Sequence, residues 1–112
     1  MMHEEVDGNI KRLSETFKAL SSPTRLRILV LCAGREKTSR ELREMLGISK
    51  PLLISHLRKL LNAGLLEYRV ELDEKRMIVR KYYRTRADVP CIEEILRSAK
   101  DQSNVNGREP NP

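Results

Sequence analysis

The spacing of the hydrophobic residues changes at Gly64, and this change restricts the possible folds more than any other feature. Before Gly64, apolar residues recur at helical spacing, as in Leu53, Leu57 and Leu60. After it, apolar and polar residues alternate over residues 66–72, which is typical of a half-buried strand. The sequence therefore predicts helices followed by a β-hairpin. The 112 residues suffice for one domain with a modest core.

The consecutive helices on either side of Gly47 form the candidate functional unit. Helices are predicted over about residues 6–20, 23–32, 38–46 and 49–62, strands over 66–72 and 77–84 around a turn at 73–76, and a last helix from Pro90. Thr38 and Glu41 are spaced as a capping box, and Ser49 is a good N-cap. Two short helices joined by a glycine turn are typical of a helix-turn-helix. The predicted fold class is mainly α with a β-hairpin, a winged helix-turn-helix.

The helix from Ser49 is predicted to be the recognition helix, over about residues 49–62. A helix-turn-helix places the start of its second helix in the major groove of DNA. With the leucine stripe inward, the side chains that face outward are Lys50, Pro51, Ile54, Ser55 and Arg58, with Leu52 at the border. Ser49 and Lys50 are expected to meet phosphate, and Ser55 and Arg58 to reach base edges or phosphate. An ordinary amphipathic surface helix is the alternative.

The excess positive charge is concentrated in the same part of the chain. The net charge is +6, and residues 49–86 carry ten Lys and Arg against four Asp and Glu. Such a block favours a polyanionic partner, here double-stranded DNA, although a solvated basic surface has the same composition. The hairpin, about residues 65–85, is expected to contact the phosphate backbone through Arg69, Lys75, Arg76, Arg80 and Lys81. Because Asp73 and Glu74 would repel phosphate, Lys75 and Arg76 are expected to make the contacts at the tip.

Four stretches of the sequence resemble the ArsR/SmtB family of winged-helix repressors. They are residues 20–29 (LSSPTRLRIL), 41–49, 55–66 and the closing 82–84 (YYR). The resemblance implies a homodimeric, sequence-specific transcriptional regulator, a repressor, that binds an operator of two-fold symmetry. It implies dimer contacts from the first and last helices, through Ile10, Leu13, Phe17, Ile92, Ile95 and Leu96. The residue pattern agrees, since both apolar stripes have little else to pack against in so small a core.

The sequence departs from the family pattern at two places. Where many members carry paired metal-binding cysteines, this chain has Thr38 and Arg40, and its only histidines are His3 and His56. Soft metal sites need clustered Cys or His, so no metal and no cofactor are expected. Leu52 and Ile54 stand where members often carry Thr, Ala or Ser. This second departure leaves open a winged-helix module that binds another protein.

The two cysteines suggest one further alternative. Cys32 lies in an apolar stretch and is expected to be a buried free thiol. Cys91, near the start of the last helix, could make the protein a thiol redox-responsive regulator on the same fold. An enzyme is not expected, because the sequence has no glycine-rich phosphate loop and no nucleophile paired with a base.

The domain bounds and the cellular location are also predicted from the sequence. Residues 1–101 are predicted to form the winged helix-turn-helix domain with its flanking dimerisation helices, and residues 102–112 a disordered tail. With no secretory signal and no apolar run long enough for a bilayer, the protein is expected to act in the cytoplasm without a membrane partner.

Overall fold

The computed structural model describes residues 2–87 and Arg97, with side chains from residue 7 onward. Its elements are α1 (Met2–Leu20), α2 (Pro23–Ala33), β1 (Lys37–Thr38), α3 (Ser39–Leu46), α4 (Lys50–Asn62), β2 (Leu66–Asp73) and β3 (Ile78–Thr85). The predicted order of helices followed by a hairpin is confirmed. The predicted last helix from Pro90 and the tail at 102–112 lie outside the described residues.

The described chain falls into two compact units. The first contains α1 up to Lys18, and the second begins at Ala19 and contains all the later elements named above. Helix α1 starts at Met2, earlier than the predicted Val6, so Gly8 lies inside it. Glycine in a helix is about 1 kcal/mol less favourable than alanine, which weakens a helix without ending it. Within the described part of the chain, no helix is both long and apolar enough to cross a membrane.

The turn between α3 and α4 is set by caps on both sides. At the start of α3, Thr38 Oγ1 accepts a hydrogen bond from the Glu41 amide, and the Thr38 amide donates to Glu41 Oε1, which confirms the capping box. The hydrogen bonds that Glu41 Oε1 accepts from the Thr38 amide and from Thr38 Oγ1 lower the pKa of Glu41. At the end of α3, Gly47 adopts φ 65°, a left-handed conformation that glycine takes without a Cβ penalty. Its amide donates to the Arg43 carbonyl at 2.8 Å, and Ser49 Oγ then caps α4.

The core of the second unit holds α4 by its leucine stripe. Leu53 and Leu60 are fully buried and Leu57 nearly so, which confirms the predicted inward face. The other buried apolar residues of this core are Ala19, Ile28, Cys32, Leu42, Leu65, Leu66 and Tyr83. Fixing one face of α4 in this way also fixes which of its side chains reach solvent.

A short strand that the sequence did not predict joins the hairpin to the helix-turn-helix. Strand β1 pairs antiparallel with β3, with Lys37 opposite Tyr83 and Thr38 opposite Tyr82, so the sheet order is β1-β3-β2. Two residues are too few to show any alternation, which is why β1 has no sequence signal. At the base of the hairpin, Thr85 Oγ1 donates to the Leu29 carbonyl of α2 at 2.7 Å.

The tip of the hairpin lies one residue later than predicted. Asp73 still belongs to β2 and pairs with Ile78, so the turn covers residues 74–77 instead of 73–76. Asp73 Oδ1 accepts a hydrogen bond from the Arg76 amide, and this bond stabilises the turn. Met77 completes it with φ 54°, a left-handed conformation that is uncommon for a residue with a side chain.

Cys32 is the buried thiol that its apolar surroundings predicted. It is fully buried in the core, and this burial raises its pKa to about 11. The reactive form of cysteine is the thiolate, which is scarce at neutral pH when the pKa is this high. We therefore expect a Cys91→Ser variant, in which Cys32 is the remaining thiol, to react with Ellman's reagent only in denaturant. Fast reaction of the folded variant at pH 7.5 would contradict this burial.

Candidate nucleic-acid interface

The outward face of α4 carries the side chains that the sequence assigned to it. Its exposed members include Lys50, Pro51, Leu52, Ile54, Ser55 and Arg58. Helix α4 contains no Asp or Glu, whereas Lys50, Arg58 and Lys59 each bring a positive charge. A polyanion that approaches this face therefore meets no repelling carboxylate of α4 itself.

The start of α4 is suited to an anion. Ser49 Oγ accepts the Leu52 amide at 3.4 Å, and its hydroxyl proton remains a donor. Lys50 is the first residue of the helix and is exposed. The unpaired amides of a first helical turn carry partial positive charge, which favours a phosphate at this end.

The two faces of the hairpin differ in charge. Because side chains alternate along a strand, the register places Tyr68, Val70, Leu72, Val79, Lys81 and Tyr83 on one face, which we call the inner face. Three of these residues, Val79, Lys81 and Tyr83, line a cleft together with residues of α4. All three acidic residues of the strands, Glu67, Glu71 and Asp73, lie on the opposite, outer face. The face next to α4 therefore carries a lysine and no carboxylate.

The arginines of the outer face are held by carboxylates. Arg69 Nε donates to both carboxylate oxygens of Glu36, and its Nη1 donates to Glu71 at 2.7 Å. The hydrogen bond from Arg69 lowers the pKa of Glu36, and the pKa of Arg69 is raised in turn. Arg84 is bonded to Glu67, and Arg80 lies 4.0 Å from Asp73. The structure thus places Arg69 and Arg80, two of the predicted DNA contacts, on the face turned away from α4.

A cleft of about 560 Å³ runs between α4 and the inner face of the hairpin. We call it the basic groove, and it is lined by Ser39, Lys50, Ile54, Leu57, Arg58, Leu61, Asn62, Val79, Lys81 and Tyr83. Three cations line it, and none has a carboxylate within 4.0 Å among the residues described. The ammonium of Lys81 lies 4.8 Å from the Tyr68 ring centroid, a cation–π contact that orients it.

Only part of the groove is predicted from the sequence. Lys81 is predicted together with four other hairpin cations, and strand alternation separates it from Arg69 and Arg80. Ser39, which follows the capping residue of α3, and Val79 also line the groove and carry no such signal in the sequence. The predicted tip contacts Lys75 and Arg76 are both exposed in the turn.

A buried arginine of α2 contacts the side of α4 that does not face the basic groove. Arg25 is only 9% exposed, its Nε donates to the Ala19 carbonyl at 2.7 Å, and its Nη1 lies 3.4 Å from His56 Nδ1. A guanidinium can only donate, so Nδ1 is the acceptor and the neutral ring carries its proton on Nε2. Burial lowers the pKa of His56, and the charges of Arg25 and Lys59 lower it further.

This contact predicts a pH dependence of stability. With its pKa lowered in the folded state, His56 binds fewer protons there than in the unfolded chain, whose pKa is near 6.5. The contribution of His56 to the free energy of unfolding is therefore fully present above about pH 6.5. This contribution is lost as the pH falls toward the lower pKa that His56 has in the folded protein. We expect the wild type to lose more unfolding free energy between pH 7.5 and pH 5.5 than His56→Gln, measured by urea denaturation. Equal losses would mean that His56 is not the responsible group.

Other predicted sites are only partly described. Ile10 and Phe17 on α1 are exposed and Leu13 is half-buried, whereas Ile92, Ile95, Leu96 and Cys91 lie outside the described residues. Among the described side chains, no three His, Cys, Asp or Glu residues are grouped as metal ligands. The prediction that the protein binds no metal stays a prediction.

A helix-turn-helix, a hairpin beside its second helix and a basic groove between them define a winged helix-turn-helix domain. Residues 22–68 match the model for bacterial regulatory proteins of the arsR family. The transcriptional repressor SdpR of Bacillus subtilis is 41% identical over 51 residues, 46% of this chain and 57% of SdpR. The uncharacterized HTH-type transcriptional regulator MJ0229 of Methanocaldococcus jannaschii is 39% identical over 59 residues, 53% of this chain and 62% of that protein. The matches thus span less than two thirds of either relative.

The fold is also that of a solved regulator domain. The homodimeric winged helix-turn-helix DNA-binding domain of Mb0332 from Mycobacterium bovis, a possible ArsR-family transcriptional regulator, superimposes with a TM-score of 0.60. The two are 26% identical, and the match covers 88% of this chain and 81% of that one. The resemblance read from the motifs is confirmed: this chain carries a winged helix-turn-helix domain that is similar to those of ArsR-family regulators. The fold, and the family whose model matches residues 22–68, are those of transcriptional regulators and not of enzymes.

Proposed function

We propose that this protein is a homodimeric, sequence-specific transcriptional repressor that binds double-stranded DNA and acts in the cytoplasm. Helix α4 lies in the major groove, and the hairpin lies as a wing along the phosphate backbone. The observation that carries the proposal is the basic groove, whose two walls, α4 and the inner face of the hairpin, contain no carboxylate.

The groove supports a defined set of phosphate contacts. Lys50, Arg58 and Lys81 line it, and the hydroxyls of Ser39 and Ser49 lie at the starts of α3 and α4. Lys75 and Arg76 extend the contact to the wing tip, and Ser55 and Arg58 reach the base edges. Arg69 and Arg80 contribute mainly at long range, because their guanidiniums lie beside carboxylates on the outer face.

The apolar surface of α1 supports the proposal of a homodimer. Ile10 and Phe17 are exposed, and Leu13 lies on the same stripe at helical spacing. Two-fold dimers are the commonest assembly, and a two-fold dimer presents two α4 helices to two half-sites about one helical turn of DNA apart. The homodimeric state of the Mb0332 domain supports the same arrangement.

The test is selection of bound sequences from a pool of random DNA duplexes, followed by a salt titration of the selected duplex. We expect a sequence with two-fold symmetry. We also expect the logarithm of the affinity to fall linearly with the logarithm of salt concentration, by about 0.9 for each phosphate contact. A protein that retains no duplex at low salt would contradict the proposal.

A further inference from the structure

The recognition face of α4 combines cations with exposed aliphatic side chains. Leu52 is 46% exposed and Ile54 is 39% exposed, whereas Leu53 between them is fully buried. The first turns of a recognition helix are the part that meets base edges. Two of the positions best placed to read sequence therefore carry side chains that cannot form a hydrogen bond.

Only one group on a major-groove base edge suits an aliphatic side chain. The edges of guanine, cytosine and adenine present hydrogen-bonding groups there, and thymine adds its C5-methyl group. The charge of α4 favours DNA over a protein as the partner of this face, since Lys50, Arg58 and Lys59 surround it without any acidic residue. We propose, on the basis of the function proposed above, that Leu52 and Ile54 select operator sequence by contact with thymine methyl groups.

The two aliphatic residues address different thymines. Leu52 and Ile54 are two residues apart on the helix, which separates them by about 200° around its axis. They therefore flank the outward face on opposite sides. Ile54 lies on the side of the basic groove, which it lines with Val79, and Leu52 lies on the other side. Ser55 and Arg58 lie between the two flanks and supply the hydrogen-bonding part of the readout.

The experiment replaces thymine by deoxyuridine, which pairs with adenine in the same way and lacks only the methyl group. Duplexes recovered by selection from random DNA are made with each thymine replaced singly, and affinities are measured by fluorescence anisotropy at fixed salt. We expect two thymines in each half-site to be sensitive, each with a roughly fourfold loss of affinity per methyl, as for burial of one methylene.

Alanine variants assign each methyl to its residue. Leu52→Ala should abolish the sensitivity at one of the two thymines, and Ile54→Ala the sensitivity at the other. Ser55→Ala is the matched control on the same face, and it should lower affinity equally for thymine and uracil duplexes.

The outcomes separate this inference from the proposed function. Equal affinity for thymine and uracil duplexes, or sensitivity that survives in both aliphatic variants, would overturn methyl readout and leave DNA binding intact. Leu52→Ala and Ile54→Ala proteins that bind every duplex like the wild type would overturn it too, and would indicate that this face serves a protein. Failure to retain any duplex would overturn both proposals.

Discussion

Replacing Lys50 and Lys81 together by alanine should weaken DNA binding by roughly four thousandfold at 0.1 M salt, since both lysines line the basic groove. Each phosphate contact contributes about 0.9 to the salt slope, which corresponds to roughly eightfold in affinity at that concentration. A dimer would lose four contacts, two from each basic groove. The slope of log affinity against log salt should therefore fall by about three to four, as measured by anisotropy titrations between 0.05 and 0.3 M salt.

The matched control is the double variant Arg69→Ala with Arg84→Ala. It removes the same charge from the hairpin region, yet both arginines are paired with carboxylates on the outer face. We expect its salt slope to stay within about one unit of the wild-type value. Equal loss of slope in the two double variants would mean that net charge, and not the basic groove, determines DNA binding.

The second large effect concerns stability, and it compares two adjacent leucines. Leu53→Ala should lower the free energy of unfolding by about 2–5 kcal/mol, because Leu53 is fully buried and its loss leaves a cavity in the core. Leu52→Ala should change it by about 0.5 kcal/mol or less, as for other exposed positions. Urea denaturation followed by circular dichroism, at one fixed protein concentration, measures both.

The comparison also checks the proposed readout. A Leu52→Ala protein that is as stable as the wild type but insensitive to one thymine methyl separates binding from folding. Comparable destabilisation by both substitutions would show that Leu52 is covered in solution, for example by a partner, and would contradict its place on a free DNA-binding face.

The parts of the fold that depend on local patterns were predictable. Ser49, Gly47 and the leucine stripe determine where α4 begins, where α3 ends and which face of α4 is buried. Thr38 and Glu41 are only three residues apart, so their capping box is visible in the sequence. These signals are local because a helix cap and a helical stripe each involve neighbours within one or two turns.

The parts of the structure that depend on long-range pairing were not predictable from the sequence. Glu36 meets Arg69 across 33 residues of sequence, so nothing near Arg69 indicates that its charge is already paired. The turn at residues 74–77 differs from the predicted one by one residue at each end. That change moves the register by two and leaves each side chain on its original face. The inner position of Lys81 was therefore available from alternation alone, even with the wrong turn.

Thr38 takes part in two structures at once, since it pairs with Tyr82 in the sheet and caps α3 through Glu41. The sheet and the helix-turn-helix therefore meet at Thr38 itself, with no residue between the end of β1 and the start of α3. The spacing between the two walls of the basic groove is then set when the chain folds, so the proposed binding of a duplex would cost little further conformational entropy in these elements.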